Sequence, residues 1–348
     1  MLPTRGYAAM AVGSPMEPFN FSRRDVGPSD VLIQIGYCGI CHSDLHQVRD
    51  EWGGSLFPLV PGHEIVGTVK QVGAAVTAFH VGETAGVGCF IDSCRQCSSC
   101  RSGLEQYCET QCTWTYNSKE KDSRTPTYGG YSNQMVVDER YVLRIPERLA
   151  PERAAPLLCA GITTYSPLRH WSVGKGHRLG VVGLGGLGHM AIKFGTMFGA
   201  EVIVFSHSEH KRGDAKRLGA ADFADTSNPG TFSKLTRYCD VIIDTVSAAH
   251  DYSAYLELLK TDGTMILVGA PDTPALLGAF PLIMRRRRLA GSLIGGIRET
   301  QEMLDFCAMH NIVPDVEIIA IQQIDDAYER MLKGDVRYRF VIDLNSLT

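Results

Sequence analysis

The chain has 348 residues, 44% of them hydrophobic, and a formal net charge of -4; its mean hydropathy is -0.05. That is long for one core and comfortable for two domains. The slight acidity excludes a global basic field for nucleic acid or an anionic membrane. No apolar run nears the roughly 18 residues that a membrane span requires. The opening MLPTRGYAAM lacks the charged-then-apolar order of a secretion signal, so the expected location is the cytoplasm. In that reducing setting eleven cysteines, an odd number and tightly clustered, point to metal rather than to disulfides.

In chain order, residues 30–36 and 65–72 mix β-branched residues with glycine and are expected as strands. Residues 91–128 are irregular and rich in Cys, Ser, Thr and Lys, an excursion held by something other than an apolar core. From about 151 the character changes. Residues 179–184 form a buried-strand run, followed by a glycine-rich turn and a helix to 198; 201–206 is a second strand and 211–218 a second helix. Residues 240–246 and 264–269 continue the alternation, which implies a parallel sheet covered on both faces. The arginine run 285–288 reads as a solvated turn between two apolar strands. A helix at 324–332 and a strand at 339–344 close the chain.

Cys94, Cys97, Cys100 and Cys108 form C-x2-C-x2-C-x7-C. Each short gap lets the backbone turn successive sulfurs inward onto one ion. Four thiolates suit zinc, and a site with four protein ligands leaves no position for substrate, so this ion is expected to be structural. Metal binding in small cysteine-rich segments is worth roughly 10–16 kcal/mol, enough to order a loop with little apolar content. An iron–sulfur cluster is the rival, disfavoured because nothing else in the chain suggests electron transfer.

Three further segments carry ligand chemistry: Cys41-His42-Ser43-Asp44, Gly62-His63-Glu64 and Leu158-Cys159-Ala160. A lone buried cysteine is usually a small hydrophobe. Together Cys41, His63 and Cys159 supply two thiolates and one imidazole, with Asp44 the carboxylate expected to orient His63. Their wide separation means that spacing alone does not establish the set.

Gly183-Leu184-Gly185-Gly186-Leu187-Gly188 follows a strand and precedes a helix, the context that gives a G-x-G-x-x-G turn its meaning as a dinucleotide fingerprint. The glycines admit the pyrophosphate, and the helix N-terminus meets its charge. An enzyme using NAD would place Asp or Glu about 20 residues on. Here Ser206, 18 residues after Gly188, is neutral, and His207, Ser208, Lys211 and Arg212 follow. Hydroxyls and cationic groups suit a 2′-phosphate, so NADP(H) is the expected cofactor. An ordinary solvated helix start with Glu209 nearby is the alternative.

CGICHSD, PGHEIVG, the four-cysteine segment and CAGITTYSPL occur in the same order as in the zinc-dependent medium-chain dehydrogenases. The chain resembles most the cinnamyl alcohol dehydrogenase group with its bacterial aldehyde reductases, from about residue 28 to the closing RYRFVIDL. Two thiolates and an imidazole with one open position is the set known from alcohol dehydrogenase itself. The resemblance implies an α/β protein: a β-rich, GroES-like catalytic domain in two parts (1–151 and 295–348) around a Rossmann NADP-binding domain (152–294). It implies two zinc ions per chain and reversible exchange between primary alcohols, aromatic or aliphatic, and aldehydes, mainly by aldehyde reduction.

In that reading Ser43 takes the hydrogen bond of the substrate oxygen, and His46 relays the proton. Helix capping for Ser43 and a surface position for His46 stay open. Glu64 either acts near the metal or pairs with a buried cation. Thr163 and Leu187 join the cofactor contacts, where His207 stands at a position that the group more often fills with Ser. Trp52, Trp114, Leu293 and Ile294 fall where the group lines its substrate pocket, although plain packing accounts for each equally well. The strand near 289–295 is expected to pair across a homodimer. Cys38, Cys89, Cys112, Cys239 and Cys307 have no assigned role. The rivals are an NAD-dependent polyol dehydrogenase of the same superfamily and a non-catalytic relative. The latter is expected to lack open-site ligands, and none is missing.

Overall fold

The computed structural model describes residues 1–122, 124–271 and 277–347. The chain divides into two compact units, Met1–Ile162 with Ile294–Thr348, and Thr163–Leu293.

In the first unit a seven-stranded sheet runs Val316–Ala320, Arg339–Asp343, Asp30–Gly39, Ile65–Val72, Thr84–Val87 and Leu143–Arg144, with Gln134–Asp138 also paired to Asp30–Gly39. Only the first neighbouring pair is parallel. Val31, Ile33 and Ile35 alternate onto one buried face of the strand Asp30–Gly39, each worth roughly 1.5–3 kcal/mol when fully buried. This strand delivers the chain to Cys41, where the helix His42–Val48 begins. Its partner Ile65–Val72 starts two residues after His63. Among its described residues the expected irregular stretch holds only short pieces: strands Phe90–Asp92 and Thr113–Trp114, the helix Ser98–Arg101 and a 3-10 turn Glu105–Tyr107.

The second unit is a six-stranded parallel sheet. Its order is Asp222–Asp225, Glu201–Ser206, Arg178–Val182, Cys239–Asp244, Leu259–Leu267, Arg288–Gly291. Numbered within the unit this is 3-2-1-4-5-6, the dinucleotide-binding order, whose ligand crevice lies beyond the carboxyl ends of the strands. Ile203, Phe205, Cys239, Ile242 and Met265 form its buried centre. The α/β class expected from strand–helix alternation is therefore the observed one. The closing helix Ile324–Leu332 is also found.

The arginine run departs from expectation. A short helix, Phe280–Ile283, precedes it in place of a strand, with proline in its first turn. Arg286 is exposed, but the side chain of Arg287 is only 1% exposed. Its guanidinium donates to the carbonyls of Leu259, Pro281 and Glu257 and lies 3.0 Å from the Glu257 carboxylate. A cation there answers the carbonyl end of the helix Tyr252–Glu257. Among the described residues no helix is long and apolar enough to cross a membrane.

Candidate active site and metal centres

The four cysteines of the lobe converge: the ligand atoms of Cys94, Cys97, Cys100 and Cys108 lie within 4.8 Å of one another. Backbone N–H groups are aimed at the sulfurs, from Cys97 to Cys94 Sγ (3.4 Å), Cys100 to Cys97 Sγ (3.5 Å) and Cys94 to Cys108 Sγ (3.3 Å). The amides of Gln96 and Cys97 pull the Cys94 thiol down to about 6, favouring the thiolate that a metal requires. Arg95, in the left-handed region at φ 66, ties the lobe down through Asp92 (2.9 Å) and Asp138 (2.8 Å). Most of the segment from 94 to 110 is exposed or half-buried, so it lacks a core of its own.

A second group is buried. Cys41, His63 and Cys159 are 8%, 5% and 7% exposed, and with Glu64 they bring their ligand atoms within 4.8 Å of one another. The two sulfurs are 3.9 Å apart. Cys41 precedes the helix His42–Val48, and Asp44 at its third position accepts from the Cys41 N–H at 2.8 Å, satisfying a donor left over by the helix start. The other oxygen of Asp44 accepts from Gly62 N–H at 3.1 Å and lies 3.3 Å from His63 Nδ1. That contact turns Nε2 towards the sulfurs, the usual role of a carboxylate behind a ligating imidazole. Cys159 stands at the break between a 3-10 turn, Ala155–Leu158, and the helix Ala160–His170.

Glu64 pairs with a buried cation, one of the two alternatives expected of it. Its Oε1 meets Arg339, which is itself buried, and its Oε2 is buried without a hydrogen-bond partner. Burial pushes this carboxyl up to about 7 against the pull of Arg339. With both thiols, Asp44 and Glu64 all ionised, this buried site would carry more negative charge than one guanidinium answers, and uncompensated buried charge is costly. A soft divalent cation fits this donor set.

In the second unit Gly183 takes φ 87 at the end of the strand Arg178–Val182, and a Cβ on Gly188 would lie 2.1 Å from the Gly183 carbonyl oxygen. Around Gly185, by contrast, a Cβ would meet nothing within 4 Å. That open flank, beside a helix start without a side-chain cap at Leu187, is the cradle a pyrophosphate needs. Ser206 ends its strand, its Oγ accepting from Ser208 N–H at 3.2 Å, while His207 is exposed. Lys211 Nζ donates to the Leu184 carbonyl at 3.0 Å, over the glycine turn. Arg212 is turned to Glu209 and to the Phe223 carbonyl (3.1 Å). Thr163 is buried.

Comparison with known proteins places this geometry in a family. Residues 27–147 match the alcohol dehydrogenase GroES-like domain and 186–309 the zinc-binding dehydrogenase family. NADP-dependent alcohol dehydrogenase C 1 of Mycolicibacterium smegmatis is 55% identical over 348 residues, covering 100% of this chain and 99% of the relative. Aldehyde reductase YahK of Escherichia coli is also 55% identical, with 99% of each covered. The sorghum cinnamyl alcohol dehydrogenase SbCAD4 superposes with TM-score 0.96 at 45% identity, covering 99% of this chain and 98% of that one. The chain belongs to the zinc-dependent medium-chain alcohol dehydrogenases. Within them it is of the cinnamyl alcohol dehydrogenase type. A structure of that enzyme from Helicobacter pylori, complexed with NADP(H), is 44% identical with TM-score 0.94 over 99% of both chains.

The remaining positions of this alcohol dehydrogenase fall as follows. Ser43 Oγ lies 3.6 Å from Cys41 Sγ. His46 Nδ1 pairs with Glu51, the ring stacks on Trp52 at 4.7 Å, and Nε2 is buried without a partner. Trp52 is 42% exposed, Trp114 half-buried, Ile294 buried and Leu293 exposed. Sequence reasoning missed Glu51, Arg339 and Cys89. Glu51 follows His46 past the end of the helix, where Asp50 turns the chain at φ 53, so no helical spacing announces the pair. Arg339 is 275 residues from Glu64. Cys89, half-buried, points its thiol at the Leu158 carbonyl (3.7 Å), beside Cys159.

Proposed function

We propose that this enzyme reduces aldehydes to primary alcohols with NADPH, aromatic and aliphatic alike, and runs the reverse oxidation with NADP. The buried convergence of Cys41, His63 and Cys159 carries the reading, because three ligands of that kind leave a position for substrate. Cys94, Cys97, Cys100 and Cys108 would hold the structural zinc. When bound, the open-site zinc and the nicotinamide supply Lewis acidity at a carbonyl oxygen and a hydride.

The chain's own groups do the rest. Asp44 fixes the tautomer of His63. Ser43 Oγ donates towards the product oxygen. His46, three residues on and so on the same helical face, returns the proton from Nε2 while Glu51 holds Nδ1. Trp52 and Trp114 offer apolar walls that exclude water, with Ile294 as further lining. Such walls discriminate by only about 1–3 kcal/mol per methylene, which suits a broad aldehyde range. Gly183, Gly185, Gly186, Leu187 and Gly188 would cradle the pyrophosphate, with Thr163 nearby in sequence to the ligand Cys159. Ser206, His207, Ser208 and Lys211 would meet the 2′-phosphate.

Among the described residues the edge strand Arg288–Gly291 pairs with a strand on one side only, and Phe280, Ile283 and Met284 are exposed beside it in sequence. Both features support a homodimer built on this edge. Eleven cysteines, six of them assigned to zinc, support a reducing compartment, the cytoplasm.

The test is kcat/KM for benzaldehyde, cinnamaldehyde and butanal with NADPH and with NADH, alongside zinc counted per chain. Two zinc ions and a clear preference for NADPH are expected. Equal or better efficiency with NADH refutes the cofactor assignment, and inactivity on all three aldehydes refutes the substrate class.

A further inference from the structure

We propose that Tyr131 is a positioning residue for the open zinc site, its buried hydroxyl holding the Asp44 carboxylate in the orientation that aims His63. The inference rests on the reading of Cys41, His63 and Cys159 as zinc ligands.

Asp44 is fully buried, and a carboxylate has about four lone-pair directions to satisfy. Its Oδ1 receives Gly62 N–H at 3.1 Å and faces His63 Nδ1 at 3.3 Å. Its Oδ2 receives Cys41 N–H at 2.8 Å and the Tyr131 hydroxyl at 3.2 Å. Three of these four groups belong to the two ligand-bearing segments themselves. Tyr131 comes from a third segment, and the buried Tyr116 hydroxyl also interacts with Asp44 while its ring stacks on His63 at 5.7 Å.

That third segment is laced to the second. Gly129 N–H donates to the Val60 carbonyl (2.7 Å), Gly130 N–H to Gly62 (2.8 Å) and Tyr131 N–H to Pro61 (3.0 Å). Gly62 sits at φ 103, and a Cβ there would lie 2.7 Å from Tyr131 Cδ1, so the glycine before the ligand is the space through which the ring passes. The backbone thus delivers the hydroxyl to one place, and the hydroxyl stops the carboxylate from rotating. Without it Oδ2 loses one of its donors, Asp44 gains torsional freedom and the imidazole is held less firmly. Groups behind a metal ligand typically contribute 10–100-fold to metal affinity. Tyr131 stands one contact further out, which places its effect at about tenfold.

The experiment uses the full-length zinc enzyme and Tyr131→Phe, which keeps the ring and removes only the hydroxyl. Zinc release into excess chelator is followed with Asp44→Asn as reference, and the absorption of the Co(II)-substituted open site is recorded for each. Tyr131→Phe is expected to release one of its two zinc ions about tenfold faster, with an altered cobalt spectrum and an unchanged second ion; Asp44→Asn is expected to release it faster still. Release at the wild-type rate with an unchanged cobalt spectrum overturns the proposal. Should the variant also lose stability, wild type brought to the same unfolding free energy in urea is the comparison, and equal zinc loss there overturns the proposal too. If the wild-type enzyme itself holds only the four-cysteine zinc, the ligand reading fails instead.

Discussion

The two thiolate centres are assembled in opposite ways. The lobe takes all four sulfurs from one stretch, 94 to 108, and backbone amides of that same stretch are aimed at them. The open site draws on segments as much as 118 residues apart, each placed by the end of a strand or helix and tied by Asp44 and by the Glu64–Arg339 pair. The lobe has no core and needs an ion in place of one. The open site rests on a core and can give one coordination position to chemistry. A metal that replaces a core contributes to folding; a metal mounted on a core contributes to function.

The contrast can be broken most sharply at the lobe. Cys97→Ser is expected to remove much of the roughly 10–16 kcal/mol that a structural zinc contributes, comparable with the whole stability of about 5–15 kcal/mol of a domain. Soluble yield and a thermal scan check this, and a variant with a normal midpoint would show that the lobe stands without its ion. Cys159→Ala is expected to do the reverse: turnover falls on the order of 1,000-fold, since Lewis-acid stabilisation is worth several kcal/mol. One zinc and a nearly unchanged midpoint remain, and retained activity would falsify the ligand set.

Arg339→Met leaves Glu64 buried and unpaired and is expected to cost about 3–5 kcal/mol in urea unfolding, part of which Glu64→Gln recovers in the double variant. Simple additivity of the two losses would mean that the pair is not coupled. Glu51→Gln should lower kcat by about tenfold with little change in KM, because it touches only the hold on His46; an equal change in KM would move Glu51 into substrate binding.

The smallest effect lies in the second unit. His250 places Nε2 on Asp244 (2.8 Å) and Nδ1 on the Ala248 carbonyl (2.8 Å), and the Asp244 bond raises its pKa above the ordinary imidazole value. The stability contributed is therefore full below the unfolded pKa of about 6.5 and lost as pH rises through the folded one. The gap between wild type and His250→Asn should narrow from pH 5.5 to pH 9 with both zinc ions retained. A gap that widens reverses the sign.

Much of this was legible because it is local. The C-x2-C-x2-C-x7-C spacing is a short-range geometric constraint, and the turn from Gly183 to Gly188 sits between a strand and a helix that periodicity reveals. Strand–helix alternation gave the parallel sheet for the same reason. The arginine run was misread because charge predicts exposure only until a buried row of carbonyls needs a donor, as Leu259, Pro281 and Glu257 do around Arg287.

By itself the sequence determined most of the element types, the four-cysteine spacing and the dinucleotide turn, since each depends on residues close together in the chain. It offered the open-site donors, which lie up to 118 residues apart, only as a candidate set. Only the tertiary structure decided what surrounds those donors. It set Arg339 against Glu64, the Tyr131 hydroxyl against Asp44, and Glu51 behind His46. Pairings across a sheet or around a turn follow from backbone geometry, and neither composition nor spacing encodes them.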